Sequence, residues 1–483
     1  MYIDVRHVGY LDAATSVALG ILRIGGLIGG HRLKIRNKFL GLVYFINFID
    51  YEIILRPDIV TMQTTCRKVS SSLVRAFSSQ DAIKGPLNGY KVLDLGQVVA
   101  GNFCGALLAY FGADVIKVEP PKRGDSLRHL RDLDESGTSL WWRSYGRNRR
   151  CMTVDLHSEK GREIVKKLSA NSDVLIENFR PGVMEKWGLG PSDLSERLIY
   201  TRISGYGQTG PKASLPGYAS VCEAYGGLRF INGFSDRAPV RPNISLGDSL
   251  AGMHAAMGTM LALLHRDGTR TQSDGQGQVV DAAISESMFN MLEGCVSEYF
   301  ASGSVRPCSG STLTGVVPSG TWKAKDGVYV IIGGNGNSVY DRLMTAIGKT
   351  DMTTANPLYE TDNKRCNMEK EICDEIASWV ASKDSKDVMA ILNEARVPSG
   401  PILSVQDIAE EEQYQSRNMF QTVQAPGREE KVTVPAMLPI LSKTPGSTKW
   451  AGPDLGQHTI EILKSELNFN DSEIALLKEQ GAI

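Results

Sequence analysis

Apolar runs alternate with polar turns along the central part of the chain. Residues 91–95 are a short apolar run that predicts a strand, residues 100–111 predict an apolar helix, and residues 113–119 predict a second strand. A strand, a helix and a strand within about 30 residues are typical of a βαβ unit on a parallel sheet. This segment therefore predicts an α/β domain.

The same order continues downstream. Residues 151–156 predict a strand, residues 159–170 a helix, and residues 173–177 and 198–204 two further strands, with Gly- and Asn-rich loops after them. We therefore expect an open, doubly wound, mostly parallel sheet of the Rossmann-like kind. A ligand of such a sheet lies across the carboxyl ends of the strands.

The loop after the first predicted strand gives evidence on the class of ligand. Residues 96–101 read Gly-Gln-Val-Val-Ala-Gly, which lacks the G-x-G-x-x-G dinucleotide fingerprint. A nicotinamide-dependent dehydrogenase is therefore disfavoured, although Glu119 ends the second strand. Four arginines within residues 143–150 leave two interpretations open, a solvated edge or a phosphate clamp.

Asp248 lies before residues 255–264, which are small and apolar enough for a helix buried on nearly every side. Such a carboxylate could be an N-cap for free backbone N–H groups. It could instead be a nucleophile that the helix N-terminus keeps ionised. The local sequence alone leaves both interpretations open.

A second, smaller domain is expected after the α/β domain. Strand 327–332 and helices 366–382 and 386–395 belong to it. Between them, residues 333–337 (Gly-Gly-Asn-Gly-Asn) could cradle a phosphate, but a hairpin or strand-to-helix turn is favoured. We place the large domain at 86–298, the small domain at 299–425, and at 426–483 a C-terminal segment, with two short helices, that returns to the large domain.

The first 85 residues differ from the rest. Residues 62–79 contain three basic residues, no acid and many serines, with Val69, Leu73 and Phe77 on one helical face. This composition is typical of a mitochondrial transit peptide, and we assign 62–85 to that peptide and a linker; a plain flexible linker is the alternative. Met62 would then be the start, and residues 1–61 a non-native or disordered extension whose apolar pieces are too short or too interrupted to span a membrane.

Composition limits the class of partner. The 483 residues are 42% hydrophobic, with a net charge of -1, which disfavours a nucleic-acid-binding surface and favours a small-molecule ligand. The eight cysteines form no Cys-x-x-Cys pair and have no His at metal-ligand spacing. We expect free thiols and no metal site.

From residue 86 onward the chain resembles the class III CoA-transferase family, which includes formyl-CoA transferase and succinyl-CoA:glutarate CoA-transferase. Each motif is weak alone, but their order is specific. The motifs lie at residues 92–95, 100–101, 112–121, 177–182, 205–211, 247–248 and 455–459. The resemblance implies an interlocked homodimer and a CoA-transferase, with coenzyme A as substrate rather than a permanent cofactor. The transit-peptide composition of residues 62–79 adds the expectation that the enzyme is located in the mitochondrial matrix.

The resemblance also implies roles for individual residues. Asp248 falls on the family's catalytic aspartate, which would attack an acyl-CoA thioester and pass through acyl-aspartyl and aspartyl-CoA intermediates. Predicted CoA contacts are Gln97 and Ala100 at the thiol end, Asn178 and Phe179 along the adenine and pantetheine path, Lys186 and Arg149 for phosphate, and Tyr218 near the reacting centre. The acceptor would be a free carboxylic acid. A dicarboxylate is expected if Arg128, Arg229 or Arg241 faces a distal carboxylate.

Two departures from the family pattern concern the site. Ala219 stands where an acid is usual, so a second acidic contact is absent or comes from elsewhere in the chain. The shielding glycine loop is replaced by Gly-Ser-Thr-Leu-Thr-Gly at 310–315. Tyr218, where the racemase branch has a His, disfavours an α-methylacyl-CoA racemase; a non-catalytic acyl-CoA-binding protein is the other alternative.

Overall fold

The computed structural model describes residues 84–268 and 274–483. The predictions for residues 1–61 and for the leader at 62–79 lie outside these residues. The strands that it describes are β1 (Lys91–Asp94), β2 (Asp114–Glu119), β3 (Arg149–Thr153), β4 (Val174–Glu177), β5 (Ile199–Ser204), β6 (Val279–Ala283), β7 (Ser319–Lys323), β8 (Tyr329–Gly333), β9 (Ser399–Pro401), β10 (Phe420–Gln424) and β11 (Lys431–Pro435).

The α-helices within the same residues range from four to 22 residues. They are α1 (Ala100–Tyr110), α2 (Leu140–Tyr145), α3 (Glu159–Ala170), α4 (Val183–Lys186), α5 (Ala219–Tyr225), α6 (Leu228–Ile231), α7 (Leu246–Asp267), α8 (Ile284–Phe289), α9 (Cys295–Ser302), α10 (Asn337–Ala346), α11 (Asp362–Asn367), α12 (Glu369–Ala381), α13 (Ser385–Glu394), α14 (Val405–Glu410), α15 (Glu412–Ser416), α16 (Thr459–Leu467) and α17 (Asp471–Glu479).

Strands β1 to β6 form one sheet in the order β3-β2-β1-β4-β5-β6, and every neighbouring pair is parallel. The predicted doubly wound α/β sheet is therefore confirmed. The chain runs outward from β1 through β2 to β3 and then returns to place β4 on the other side of β1. The carboxyl ends of β1 and β4 thus form the topological switch point, where ligands of such sheets bind.

Helices cover both faces of this sheet, which explains why its central strands β1, β4 and β5 are buried along nearly their whole length. On one face, α1 and α7 share a core that includes Ala100, Cys104, Ala251 and Ala255. On the other face, α3 packs with the C-terminal helices α16 and α17 in a core that contains Ile164, Ile462 and Leu477.

Helix α7 is held near both ends. The N–H of Gly247 donates to Glu223 Oε1 at 3.1 Å. Near the other end, Arg266 donates to the carbonyl of Arg197 at 3.0 Å and to Asp173 Oδ1 at 2.7 Å. The helix begins at Leu246, earlier than the run at 255–264 suggests, because Gly-Asp-Ser is accommodated in its first turn, where a carboxylate is favoured.

A separate hydrophobic core follows the parallel sheet. Strands β7, β8 and β9 are antiparallel in that order, and Trp322, Ile332, Leu343 and Ile376 are buried among their helices. Residues 333–337 run from the last residue of β8 to the first residue of α10, as the strand-to-helix turn interpretation predicts. The hairpin of β10 and β11 was not predicted, because its strands are only partly buried.

No helix in the described ranges combines the length and the apolar character needed to cross a bilayer. The cysteines described there are free thiols, at positions 104, 151, 222, 295, 308, 366 and 373.

Candidate active site

The turn after β1 and the loop after β4 meet at the switch point. The Gln97 N–H donates to Asn178 Oδ1 at 2.6 Å, and Asn178 Nδ2 donates back to the Gln97 carbonyl at 2.8 Å. The two residues are 81 positions apart in sequence, so the sheet order alone brings them together. Two of the predicted CoA contacts therefore lie side by side.

Phe179 and Lys186 extend this edge of the sheet. The Phe179 N–H donates to Glu177 Oε2 at 2.7 Å, and its ring packs edge-on against Trp187 with 5.2 Å between centroids. Lys186 is exposed at the end of α4. The loop thus presents an aromatic face and a cation, which suit the adenine and phosphate parts of a nucleotide-like ligand.

The turn after β1 contains a strained residue. Val98 has a φ of 60°, a left-handed conformation that costs a β-branched residue about 1–3 kcal/mol. Asp125 Oδ1 accepts the Val98 N–H at 3.0 Å, and Asn102 Nδ2 donates to both the Val98 carbonyl and Asp125 Oδ2, at 2.7 and 2.6 Å. These contacts fix the turn and hence the position of Gln97.

Beneath the turn lies a fully buried charge cluster, here named the turn cluster: Asp94, Lys117, Asp125 and Arg149. Lys117 Nζ lies 3.4 Å from Asp125 Oδ2 and 3.8 Å from Asp94 Oδ1, and it donates to the Gly96 carbonyl. All four side chains are shielded from solvent.

The predicted phosphate role of Arg149 has no support in this placement. Its guanidinium donates to Asp94, to Asn102 Oδ1 at 2.9 Å and to the Tyr145 carbonyl, and its side chain is buried. The reason is the start of β3 at residue 149 rather than 151, which directs this side chain into the protein. Arg143 and Arg147 are also buried and bonded within the protein, so the phosphate-clamp interpretation of the arginine run is not supported either.

Asp248 lies in the first turn of α7, beside the start of α1. The N-cap position belongs to Ser245, so the N-cap interpretation of Asp248 is wrong: Asp248 is the third residue of the helix. Gly252 is four residues further along and therefore on the same helical face. A Cβ on Gly252 would lie 2.6 Å from the Ala100 carbonyl oxygen, so this face of α7 rests directly on the start of α1.

The environment of Asp248 changes its titration. Burial, and second the charge of Glu223, raise the pKa of the Asp248 carboxyl to about 6, while Arg241 acts in the opposite direction. The sequence allowed a carboxylate that the helix N-terminus keeps ionised; desolvation opposes that effect and raises the pKa, but not enough to protonate the group at neutral pH. The group is mainly ionised at pH 7 and is more basic than an ordinary aspartate.

A second acid and two cations surround the start of α7. Glu223 is fully buried and accepts from Arg241 Nε at 2.9 Å, and Arg229 lies 3.8 Å from the same carboxylate. We name Glu223, Arg229, Arg241 and Asp248 the helix cluster. Sequence reasoning named both arginines but missed Glu223, which stands one helical turn after Ala219; the i to i+4 spacing could have found it.

Arg128, the third candidate for a distal carboxylate, has a different partner. It forms two hydrogen bonds of 2.7 Å with Glu119 and is buried. Burial and pairing make it a structural residue.

Tyr218 and the predicted shielding loop flank the helix cluster. Tyr218 is 78% exposed, and its carbonyl accepts the N–H groups of Val221 and Cys222 at the start of α5. In the 310–315 loop, the Gly310 N–H donates to the Gly233 carbonyl at 2.8 Å. Gly233 belongs to the segment that leads to Arg241, so this loop and that segment are joined.

Most of the chain is similar to known proteins. Residues 87–459 match the model of CoA-transferase family III. The chain is 39% identical over 401 residues to a succinyl-CoA--D-citramalate CoA-transferase from Chloroflexus aurantiacus, covering 82% of this chain and 98% of that protein. It is 32% identical to a formyl-CoA:oxalate CoA-transferase from Afipia carboxidovorans, with 82% and 97% covered.

Solved structures give the same result. A CAIB/BAIF family protein from Brucella suis aligns with a TM-score of 0.69 at 29% identity, covering 79% of this chain and all of that one. The Rv3272 protein from Mycobacterium tuberculosis aligns with a TM-score of 0.67 at 26% identity, covering 77% of this chain and 98% of that one. The family match spans most of the chain, and the chain therefore belongs to CoA-transferase family III.

Proposed function

We propose that this chain transfers CoA from an acyl-CoA thioester, such as succinyl-CoA, to a free dicarboxylic acid through covalent intermediates on Asp248. The observation that carries the proposal is the placement of Asp248: a partly buried carboxylate of raised pKa, on the helical face that rests on Ala100. Relatives that transfer CoA from succinyl-CoA to citramalate or malate support it.

The chemistry requires two covalent intermediates. An Asp248 oxygen attacks the thioester carbonyl carbon, the C–S bond breaks, and CoA thiolate leaves a mixed anhydride. The thiolate then attacks the Asp248 carbonyl carbon and releases the donor acid, which leaves an aspartyl-CoA thioester.

The acceptor carboxylate reverses the sequence. It attacks the aspartyl thioester and expels CoA thiolate, and the thiolate attacks the acceptor's carbonyl to release the new acyl-CoA and Asp248. No proton is gained or lost in any step. The residue must therefore be ionised and oriented rather than paired with a base, and partial desolvation at pKa about 6 provides both basicity and ionisation at neutral pH.

The residues of the switch point would hold CoA. Gln97 and Asn178 lie side by side there, and Phe179 and Lys186 continue the edge toward solvent. We assign the thiol end to the Gln97 side, next to Ala100, and the phosphates to the exposed Lys186. Arg149 is left out of this assignment because it is buried.

The dicarboxylate part rests on the two arginines of the helix cluster. The side chains of Arg229 and Arg241 are 25% and 37% exposed, and both lie against Glu223. A distal carboxylate next to the reacting one would meet guanidinium donors there, and bidentate recognition of carboxylates is the usual role of arginine.

A homodimer is also part of the proposal. The outer face of α7 carries Met253, Met257, Leu261 and Leu264, with exposures of 46%, 50%, 58% and 65%. An apolar stripe of this length on a helix is typical of an interface, and a second copy of the chain is its proposed occupant. Light scattering should give twice the monomer mass, and Met257→Glu should lower it.

We propose import into the mitochondrial matrix from the composition of residues 62–79 alone. Amino-terminal sequencing of the native protein tests this, with a mature end near residue 78 expected. A mature end well before residue 70 would contradict it.

The decisive experiment follows CoA. The protein is incubated with succinyl-CoA and citramalate, malate, glutarate, itaconate, oxalate or formate, and acyl-CoA products are identified by mass spectrometry. Asp248→Asn should lower transfer by at least about 10³-fold while CoA still binds, since the amide keeps the shape but not the nucleophile. Hydroxylamine should trap a label on Asp248.

The matched control is Asp236→Asn, an exposed aspartate that forms an ion pair with Arg237; it should transfer CoA as the wild type does. If no acid accepts CoA while a 2-methylacyl-CoA loses its α-deuterium, the transferase proposal is overturned in favour of the racemase alternative.

A further inference from the structure

We infer that covalent loading of Asp248 is itself what opens the acceptor's binding site. Once Asp248 has become the aspartyl-CoA thioester and the donor acid has left, the helix cluster holds two cations against one carboxylate, and this positive site binds the acid with two carboxylates that attacks next. The inference rests on the proposed function and adds an order to it: thioester formation first, tight acceptor binding second.

The charge count of the helix cluster supports this order. In the free protein Asp248 and Glu223 carry two negative charges, and Arg229 and Arg241 carry two positive charges, so the cluster is neutral at pH 7. The nearby Cys222 thiol adds no charge, because burial and the Asp248 carboxylate raise its pKa to about 11. Formation of the aspartyl-CoA thioester, with release of the donor acid, removes the charge of Asp248 and leaves a net charge of +1 on the cluster.

The donors of the cluster are incompletely used. Arg241 donates to Glu223 from Nε and from one terminal nitrogen. Arg229 donates from one terminal nitrogen to Ser220 Oγ at 3.0 Å. Arg229 Nε is buried, and within the described residues it has no hydrogen-bond partner. The side chains of Arg229 and Arg241 are 25% and 37% exposed, so an arriving carboxylate can meet the guanidinium donors that the protein leaves unused.

Glu223 prevents the two cations from collapsing onto Asp248. It is fully buried, takes the nearer contacts from Arg241 and also accepts the Gly247 N–H. Because Glu223 also accepts the N–H of Gly247, the residue before Asp248, it holds the two arginine side chains next to Asp248 without an ion pair to it. An acid that arrives before Asp248 is loaded meets a neutral cluster, without the net positive charge that favours its binding afterwards.

The inference is tested by binding alone. Asp248→Asn imitates the loss of charge without an acyl group, so calorimetry at pH 7.5 should show succinate bound about ten times tighter by Asp248→Asn than by the wild type. Butyrate, which has one carboxylate, should gain less. Adding Arg241→Gln or, independently, Arg229→Gln to Asp248→Asn should remove the gain.

The matched control is Arg237→Gln added to Asp248→Asn, since Arg237 lies on the same segment but is exposed and pairs with Asp236; it should keep the gain. Equal succinate affinity of the wild type and Asp248→Asn overturns the inference, and so does a gain that survives both Arg229→Gln and Arg241→Gln. CoA transfer by the wild type is measured separately, so a transferase without the gain refutes only this inference.

Discussion

The turn cluster and the helix cluster both consist of two carboxylates and two cations next to the predicted CoA edge, yet their surroundings differ. In the turn cluster all four side chains are shielded, and each carboxylate has several donors: Asp125 alone accepts from Val98, Leu127 and Asn102. In the helix cluster the Asp248 carboxylate accepts no hydrogen bond within the described part of the chain, and both arginines are partly exposed.

Two clusters with the same number of positive and negative groups therefore have different roles, one structural and one proposed to be catalytic. The carboxylates of the turn cluster are fully paired, although Arg149 Nε is buried and has no hydrogen-bond partner among the described residues. Such a cluster braces the fold, because removing one of its charges leaves an opposite charge buried without a partner. The helix cluster instead holds the ionised Asp248 carboxylate in an energetically unfavourable state, and the proposed covalent reaction removes its charge. Four measurements test this difference between the two clusters.

Lys117→Met should have the largest effect. It removes the cation between Asp94 and Asp125, and breaking a buried pair in this way costs about 3–5 kcal/mol of the free energy of unfolding. Urea denaturation measures the loss. The exposed Lys166→Met should change the same quantity by less than about 0.5 kcal/mol. Similar small losses for both would show that the turn cluster is not a brace.

Asp248→Asn should act in the opposite direction and stabilise the fold. A folded pKa of about 6 against an unfolded value near 3.8 means that the ionised carboxylate costs stability above pH 6, by about 3 kcal/mol at most. Below the unfolded pKa both states are protonated and the cost is absent.

The gain of Asp248→Asn in free energy of unfolding should therefore be largest at pH 8 and fall to about half at pH 5. Asp236→Asn serves as the exposed control. A loss of stability at pH 8 would mean that Asp248 is held favourably and that the two clusters do not differ in kind.

Val98→Gly should raise the free energy of unfolding by about 1 kcal/mol. Relief of the left-handed conformation outweighs the greater freedom that glycine gives the unfolded chain. Val99→Gly is the neighbouring control: Val99 is buried with a φ of -112°, so its replacement should destabilise. Equal losses at the two positions would show that Val98 is not strained.

Glu223→Gln should have the smallest effect, a change in pH dependence. CoA transfer by the wild type should fall as the pH drops through about 6, because protonated Asp248 is not a nucleophile. Glu223→Gln removes a negative neighbour, lowers the Asp248 pKa and moves this limb of kcat/KM to lower pH. Asp236→Asn should leave the acidic side of the pH profile of kcat/KM unchanged. If Glu223→Gln also leaves it unchanged, Glu223 does not affect the pKa of Asp248.

The contrast also explains what the sequence could predict. The apolar runs of β1, β4 and β5 identified the sheet, because strands buried on both faces are nearly continuous in hydrophobicity. The edge strands β7 and β9 have no such run and were missed. The ordered motifs located Asp248, and the structure places Gln97 and Asn178 together at the switch point.

Partnerships between distant charges were beyond the sequence. Nothing near Arg149 indicates that it faces Asp94, 55 residues away, and a shift of two residues in the start of β3 was enough to turn a predicted surface cation into a buried one. Glu223 and Arg241 are 18 residues apart across an irregular segment. Pairs of this kind depend on tertiary packing, which residue patterns do not encode directly.

The anchoring of α7 has a consequence for how specificity can change. Gly247 near one end and Arg266 near the other form hydrogen bonds to neighbouring segments. The 22 residues from Leu246 to Asp267 are one continuous helix of about 33 Å. Asp248, the proposed nucleophile, is thus fixed in position, whereas the segments that carry Tyr218 and Arg241 and the 310–315 loop lie outside this helix. New acids can be accommodated by exchanging those segments while the reacting oxygen stays where it is.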